Sequence, residues 1–297
     1  MSLPRQILPG VTYLLTRRCS QRQFLLRPSR RTNAALLYVL ALAAERTGVL
    51  LHAFCFLSNH YHLVVTDPRG TLPEFMRYFN EFTARALNAS YGRWESFWAP
   101  GSYSAVRLLS PEDVIAKIAY TLANPAAGGL VRRLEEWPGL KSLPRELDGA
   151  SIVALRPETF FRSEGPAPET CTVRLTRPPG FGDGASFVEA VERALREREH
   201  AAAAAVQASG RDFLGRRGVL RQSPLDSPAT VEPRRALNPR IAGRDKWKRI
   251  EALLRLKDFV AAYRVAWGRF RDGVRDVLFP PGTYWARVHH HALCASP

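Results

Sequence analysis

The spacing of apolar positions over the first 125 residues alternates between a two-residue and a helical period. Val11 to Thr16 is a β-branched and aromatic run behind the turn pair Pro9-Gly10, and it predicts a strand. Asn33 to Thr47 is rich in Ala and Leu without a breaker, and predicts a helix. Val49 to Leu57 reads as a second strand, Ser58-Asn59 as a tight reversal, and His60 to Thr66 as a third strand. Leu72 to Asn88 places Leu72, Phe75, Met76, Phe79, Phe82 and Ala86 at helical spacing, and Ser102 to Leu108 is a fourth strand. Ser110-Pro111-Glu112-Asp113 then opens a further helix, with a capping hydroxyl and a proline at the first helical position. The order βαββαβ plus a helix predicts an α+β fold, a ferredoxin-like domain with an antiparallel sheet.

After Asn124-Pro125 the pattern weakens. Residues 1–135 are therefore expected to form one domain, residues 136–185, rich in Pro, Gly and Thr, a loop-rich linker, and residues 186–297 a basic, mainly helical C-terminal domain. Helices are expected from Ser186 to Ser209 and from Asp245 to about Phe270.

Charge narrows the partner. The 43 Lys and Arg against 27 Asp and Glu give a net charge of +16, which suits a polyanion such as nucleic acid, and both halves share the excess. Only five of the basic residues are lysine. Arginine favours forked phosphate contacts, although a GC-rich genome produces the same bias. The four cysteines are scattered without CxxC spacing, so neither a disulfide framework nor a thiolate zinc site is expected. No apolar run is long enough to span a bilayer and no signal-peptide core opens the chain, so a cytoplasmic protein without membrane contact is expected.

Two clusters carry candidate chemistry. In a strand starting at His60, His60 and His62 share one face and Tyr61 and Leu63 the other, so both imidazoles can reach one metal ion. A chance pair on a half-exposed strand has the same spacing. On the helix opened by Pro111, Ile115, Ile118 and Leu122 form an apolar stripe, while Asp113, Lys117, Tyr120 and Asn124 gather opposite. Tyr120 and Asn124 stand at i and i+4, a phenol beside an amide; a solvent-edge aromatic capping the core is the plainer reading of Tyr120 alone.

Ser58-Asn59-His60-Tyr61-His62-Leu63-Val64-Val65 resembles the NHxHLLV motif of the small single-tyrosine HUH transposases, the family that includes the REP-associated tyrosine transposases. Tyr120-Thr121-Leu122-Ala123-Asn124-Pro125, followed by Gly128-Gly129-Leu130-Val131, resembles that family's YIxxNPVxAGLV motif. The resemblance covers about residues 1–135 and implies the ferredoxin-like catalytic fold. It implies Tyr120 as the nucleophile, His60 and His62 as metal ligands with Asn124 as third ligand, and Mg²⁺ or Mn²⁺ as cofactor. The implied activity is metal-dependent cleavage and rejoining of single-stranded or hairpin DNA through a 5′-phosphotyrosine, by a monomer or a homodimer. The sequence departs from the pattern at Tyr61, where an aliphatic residue is usual, and at Gly101-Ser102-Tyr103, where an Arg-aromatic pair is usual.

Arg17, Arg18 and Lys117 are the candidate DNA contacts. Trp94, Phe97 and Trp98 either stack on unpaired bases or anchor a loop. A basic stretch from Arg240 to Lys257 is a second candidate contact surface, with a solvated helix face as the alternative. Tyr103 is the chief rival nucleophile, ahead of Tyr78 and Tyr91. His289-His290-His291 with Cys294 is expected to be structural or incidental, because in an extended chain the middle ring points away from the other two and no matching ligand group lies elsewhere in that half. Two further readings remain: a relaxase or replication initiator sharing the HUH chemistry, and a domesticated hairpin-binding protein that no longer cuts.

Overall fold

A computed structural model describes residues 4–162, 164–230 and 239–296. The first seven elements follow the expected order: β1 (Val11–Arg18), α1 (Arg30–Thr47), β2 (Leu50–Phe56), β3 (His60–Asp67), α2 (Leu72–Tyr91), β4 (Ser104–Leu108) and α3 (Pro111–Leu122). Their sheet runs β2-β3-β1-β4 with every neighbouring pair antiparallel, the ferredoxin-like arrangement. Local signals set the helix starts. The Ser29 side chain accepts from Thr32 N, and the Ser110 side chain accepts from Asp113 N ahead of Pro111. The buried carboxylate of Asp67 accepts from Thr71 N and Leu72 N and so ties the start of α2 to the end of β3.

The remaining elements are α4 (Asn124–Ala127), β5 (Ser151–Leu155), β6 (Thr170–Arg174), α5 (Gly184–Ala208), α6 (Gly215–Arg221), β7 (Ile241–Ala242), α7 (Lys246–Arg271) and α8 (Trp285–His290). Residues 136–185, expected as a loop-rich linker, instead contain the antiparallel hairpin β5-β6, which packs on α1. The reason lies in α1, which is apolar around its circumference: Ala35, Tyr38, Leu42 and Ala43 are all buried, and one sheet face cannot cover them all. Ala154, Cys171 and Val173 from the hairpin join the main core. The Pro- and Gly-rich stretch is the connection between the two strands.

The start of the region expected as a separate C-terminal domain also packs on the first. Phe187, Val191 and Leu195 of α5 belong to the main core, and α5 lies along α3 and α4. β7 extends the sheet, parallel to β4. A separate small core of Ala266, Phe270, Val277, Phe279, Ala286 and Ala292 holds the end of α7 against α8. His289 lies against Trp285 and His290 against Trp267 and Phe270, consistent with a structural role for these rings. Among the described residues, no helix is long and apolar enough to cross a membrane.

His52 sits where the β2-β3 register shifts between Leu51 and Ala53, a bulge that turns its ring inward. Nδ1–H donates to the Thr176 carbonyl and Nε2 accepts from Thr66 Oγ1, each at 2.7 Å, leaving the buried ring neutral. Burial lowers its pKa from 6.5 to about 4. An unfolded chain takes up a proton near pH 6.5 while the folded chain resists until about pH 4, so this stabilisation is complete above 6.5 and is lost as pH falls toward 4. The free energy of unfolding should drop by about 3 kcal/mol over that window. Urea melts at pH 7 and pH 4.5 check this: His52→Gln should flatten the pH dependence, and an unchanged slope would assign it to other groups.

Candidate active site

The strand β3 alternates its side chains across the sheet. Tyr61 faces the α2 layer, where its ring meets Phe56, Phe79 and Trp98 and its hydroxyl donates to Asn80 Oδ1 at 2.7 Å. His60 and His62 face the other layer, which α3 covers. Their ring centroids are 5.0 Å apart with the planes near perpendicular. The strand is therefore buried on both faces near His62, which is 4% exposed, and not half-exposed as the sequence alone allowed.

Each imidazole is held by its Nδ1. His62 Nδ1 lies 2.7 Å from Thr16 Oγ1, directly across the β1-β3 ladder, and His60 Nδ1 lies 2.7 Å from Asn59 Oδ1. The amide oxygen of Asn59 can only accept, so His60 carries a proton on Nδ1, which in the neutral ring leaves Nε2 as the acceptor. In His62, Nε2 accepts from the Asn124 amide at 3.1 Å, which makes Nδ1–H the donor to Thr16. Burial, with His60 and the Lys117 ammonium beside it, holds the His62 pKa well below the ordinary imidazole value. Both rings are thus in the tautomer that a metal ligand needs.

α3 ends at Leu122, and Asn124 begins the separate short helix α4, as the following proline dictates. The Asn124 side chain nevertheless returns to His62. Two donors about 2.1 Å from one ion stand roughly 3 Å apart, so the 3.1 Å separation of Asn124 and His62 Nε2 fits a shared ion once the amide turns its oxygen inward. Among the described residues, no group of three His, Cys, Asp or Glu stands together, so two imidazoles and one amide make up the candidate donor set.

The Tyr120 ring packs edge-on against His62, with centroids 5.2 Å apart, and 36% of the residue remains exposed. Lys117 Nζ lies 5.4 Å and Arg198 Cζ 5.9 Å from the centre of that ring. Burial and the neighbouring Arg198 lower the Lys117 pKa. Asp113, expected on the same polar face, is buried instead: it accepts from Ser110 Oγ and from the backbone N–H of Arg244. The segment leaving β7 toward α7 needs an acceptor for that N–H, and Asp113 supplies it.

The candidate DNA contacts separate. Arg18 lies opposite His60 on the ladder and shares its face, and Lys117 borders Tyr120. Arg17 lies opposite Tyr61 and stacks on Trp98 at 5.4 Å, away from the imidazoles. Phe97 and Trp98 anchor their loop in the core, with Trp98 Nε1–H donating to Asn80 O, whereas Trp94 is almost fully exposed. Of the rival tyrosines, Tyr103 is buried and Tyr78 and Tyr91 are half-buried. Tyr103 is buried beneath the Arg5 guanidinium and its pKa is raised by burial, Tyr91 donates to Leu25 O, and Tyr78 stacks on Phe82.

Residues 10–117 match the family described as "Transposase IS200 like". The match takes in the whole sheet except β7, together with His60, His62 and the first half of α3, and ends three residues before Tyr120. Among solved structures, the chain is similar to a REP-associated tyrosine transposase described as bound to a REP hairpin, at 17% identity and a TM-score of 0.42 over 49% of this chain and 84% of that one. It is also similar to a candidate transposase from Deinococcus radiodurans R1, at 20% identity and a TM-score of 0.30 over 42% of this chain and 97% of that one. No curated protein matches the chain.

Thr16, Asn59 and Arg198 stand at the candidate site without having been singled out in the sequence. Asn59, next to His60, was legible in principle from its place in the motif; Thr16 and Arg198 arrive through strand register and helix packing. Exposure itself is open to test: limiting nitration followed by peptide mass spectrometry should modify Tyr120 well ahead of Tyr61 and Tyr103. Preferential labelling of Tyr103 would contradict this geometry.

Proposed function

We propose that this protein is a transposase that cleaves and rejoins single-stranded DNA, with Tyr120 as the attacking group and His60, His62 and Asn124 as ligands of a divalent ion. The reading rests chiefly on one observation: the Tyr120 ring packs against the His62 ring, whose Nε2 meets the Asn124 amide and whose other nitrogen is held by Thr16. Hairpin DNA is the substrate that the motif resemblance implies, and the net charge of +16 suits a polyanion.

A bound Mg²⁺ or Mn²⁺ would polarise the scissile phosphate, and the two imidazoles favour Mn²⁺ of the pair. The chain does the rest. The Tyr120 Oη forms a bond to phosphorus while the P–O3′ bond breaks; the phenol proton is lost to water, and the departing 3′ oxygen takes one up. The products are a 5′-phosphotyrosine and a 3′-OH, and reversal by another 3′-OH rejoins the strand without an external energy source. The Tyr120 ring leans on His62, which limits the directions its hydroxyl can take. All four side chains stand together within a single chain.

Labelled single-stranded hairpins from the DNA flanking the gene, incubated with the protein and Mn²⁺ and run on a denaturing gel, test this reading. A covalent adduct is expected that requires metal, disappears in Tyr120→Phe and His62→Ala, and falls 10- to 100-fold in Asn124→Ala. Hairpin binding with no adduct, or an adduct that persists in Tyr120→Phe, overturns the assignment.

The hydrogen bond from His62 to Thr16 gives a second expectation. Thr16→Val should weaken Mn²⁺ binding about 10- to 100-fold, read as the free-ion signal by electron paramagnetic resonance, with little change in the unfolding midpoint. Equal affinity in the two proteins would remove Thr16 from the site.

A further inference from the structure

α5 lies beyond the residues that match the transposase family, and it contributes a cation to the edge of the candidate site. Its position is set by the core. Phe187, Val191 and Leu195 are buried on one face of the helix, and the buried Glu199 carboxylate accepts from Leu134 N at 2.7 Å. Arg198, between Leu195 and Glu199, is therefore fixed above α3 with its guanidinium 5.9 Å from the centre of the Tyr120 ring. Lys117 stands 5.4 Å from the same ring.

Two cations close to one phenol repel each other, and no ion pair to a carboxylate is formed by Arg198 among the described residues, whereas its neighbour Arg196 pairs with Glu192. Such an arrangement is costly in the free protein and is offset when an anion enters between the cations. A phosphodiester seated for attack by Tyr120 is an anion of that kind, and a guanidinium can donate two parallel N–H bonds to its non-bridging oxygens.

We propose that Arg198 is a catalytic residue that binds a non-bridging oxygen of the scissile phosphate and stabilises the charge that builds there as Tyr120 Oη bonds to phosphorus and O3′ departs. This rests on the assignment of Tyr120 above. The covalent chemistry is unchanged by it: Arg198 stays protonated throughout and donates hydrogen bonds only. The catalytic site then extends past the matched domain, and a chain cut before α5 lacks part of it.

The test uses the full-length protein, the same single-stranded hairpin oligonucleotide and Mn²⁺, under single-turnover conditions with protein in excess. Arg198→Ala should slow adduct formation on the order of 10²-fold, the scale of losing one preorganised donor, while the hairpin dissociation constant changes less than about threefold. Arg198→Lys should recover part of the rate. Sulfur in place of one non-bridging oxygen should slow the wild type, and that penalty should shrink in Arg198→Ala, which a merely structural role would not produce. An unchanged rate in Arg198→Ala, a defect confined to binding, or a sulfur penalty equal in both proteins overturns the inference. Mapping the wild-type adduct by mass spectrometry separates the two assignments: an adduct on another tyrosine defeats the Tyr120 reading and this inference with it, whereas an adduct on Tyr120 formed equally fast in Arg198→Ala defeats only the role of Arg198.

Discussion

The pairing of β1 with β3 controls the candidate site. It sets Thr16 opposite His62 and Arg18 opposite His60, so one ladder delivers an imidazole, the hydroxyl that fixes its tautomer and a neighbouring guanidinium. A slip of one residue would turn His60 and His62 into the α2 layer and expel Tyr61 from the cluster it forms with Phe79 and Trp98. The aromatic packing of Tyr61 and the chemistry of the two histidines are thus opposite faces of one constraint. The buried Tyr61 hydroxyl, bonded to Asn80, penalises any other register further.

The second layer depends on α3. Its apolar face seals the sheet through Val114, Ile118 and Leu122, and the same contact brings Tyr120 over His62. The proline after Asn124 ends the helix there, yet the amide still reaches the imidazole. α5 then packs outside α3 and places Arg198 beside the phenol. The site is built in three shells: a strand holding the two imidazoles, a helix carrying the phenol, and an outer helix adding a cation. Each shell is held by apolar burial and carries a polar group on the side facing His62.

The element order was legible in the first 125 residues because hydrophobic period, Ser capping and Pro at the first helical position agree there. Three expectations nevertheless differed from the fold: the linker, the separateness of the region after residue 186, and Asp113, which lies inside those first 125 residues. The Pro-rich stretch looked like a linker because short strands with one buried face leave a weak signature, and the covering demand of α1 on the β5-β6 hairpin is a property of three-dimensional packing. Asp113 was placed on an open polar face by a helical wheel, which cannot register a backbone N–H arriving from residue 244.

From the sequence alone came the two histidines on one strand face, the tyrosine on the helix opened by Pro111 and the asparagine after it, because local periodicity and motif spacing act over a few residues. Only the tertiary structure decided that Thr16 holds His62, that Arg17 turns to Trp98 while Arg18 shares the face of His60, and that Arg198 stands over Tyr120. Those relations join residues from 42 to 81 positions apart. They depend on strand register and helix packing, which minimise exposed apolar surface over the whole chain and leave no mark in any short stretch of it.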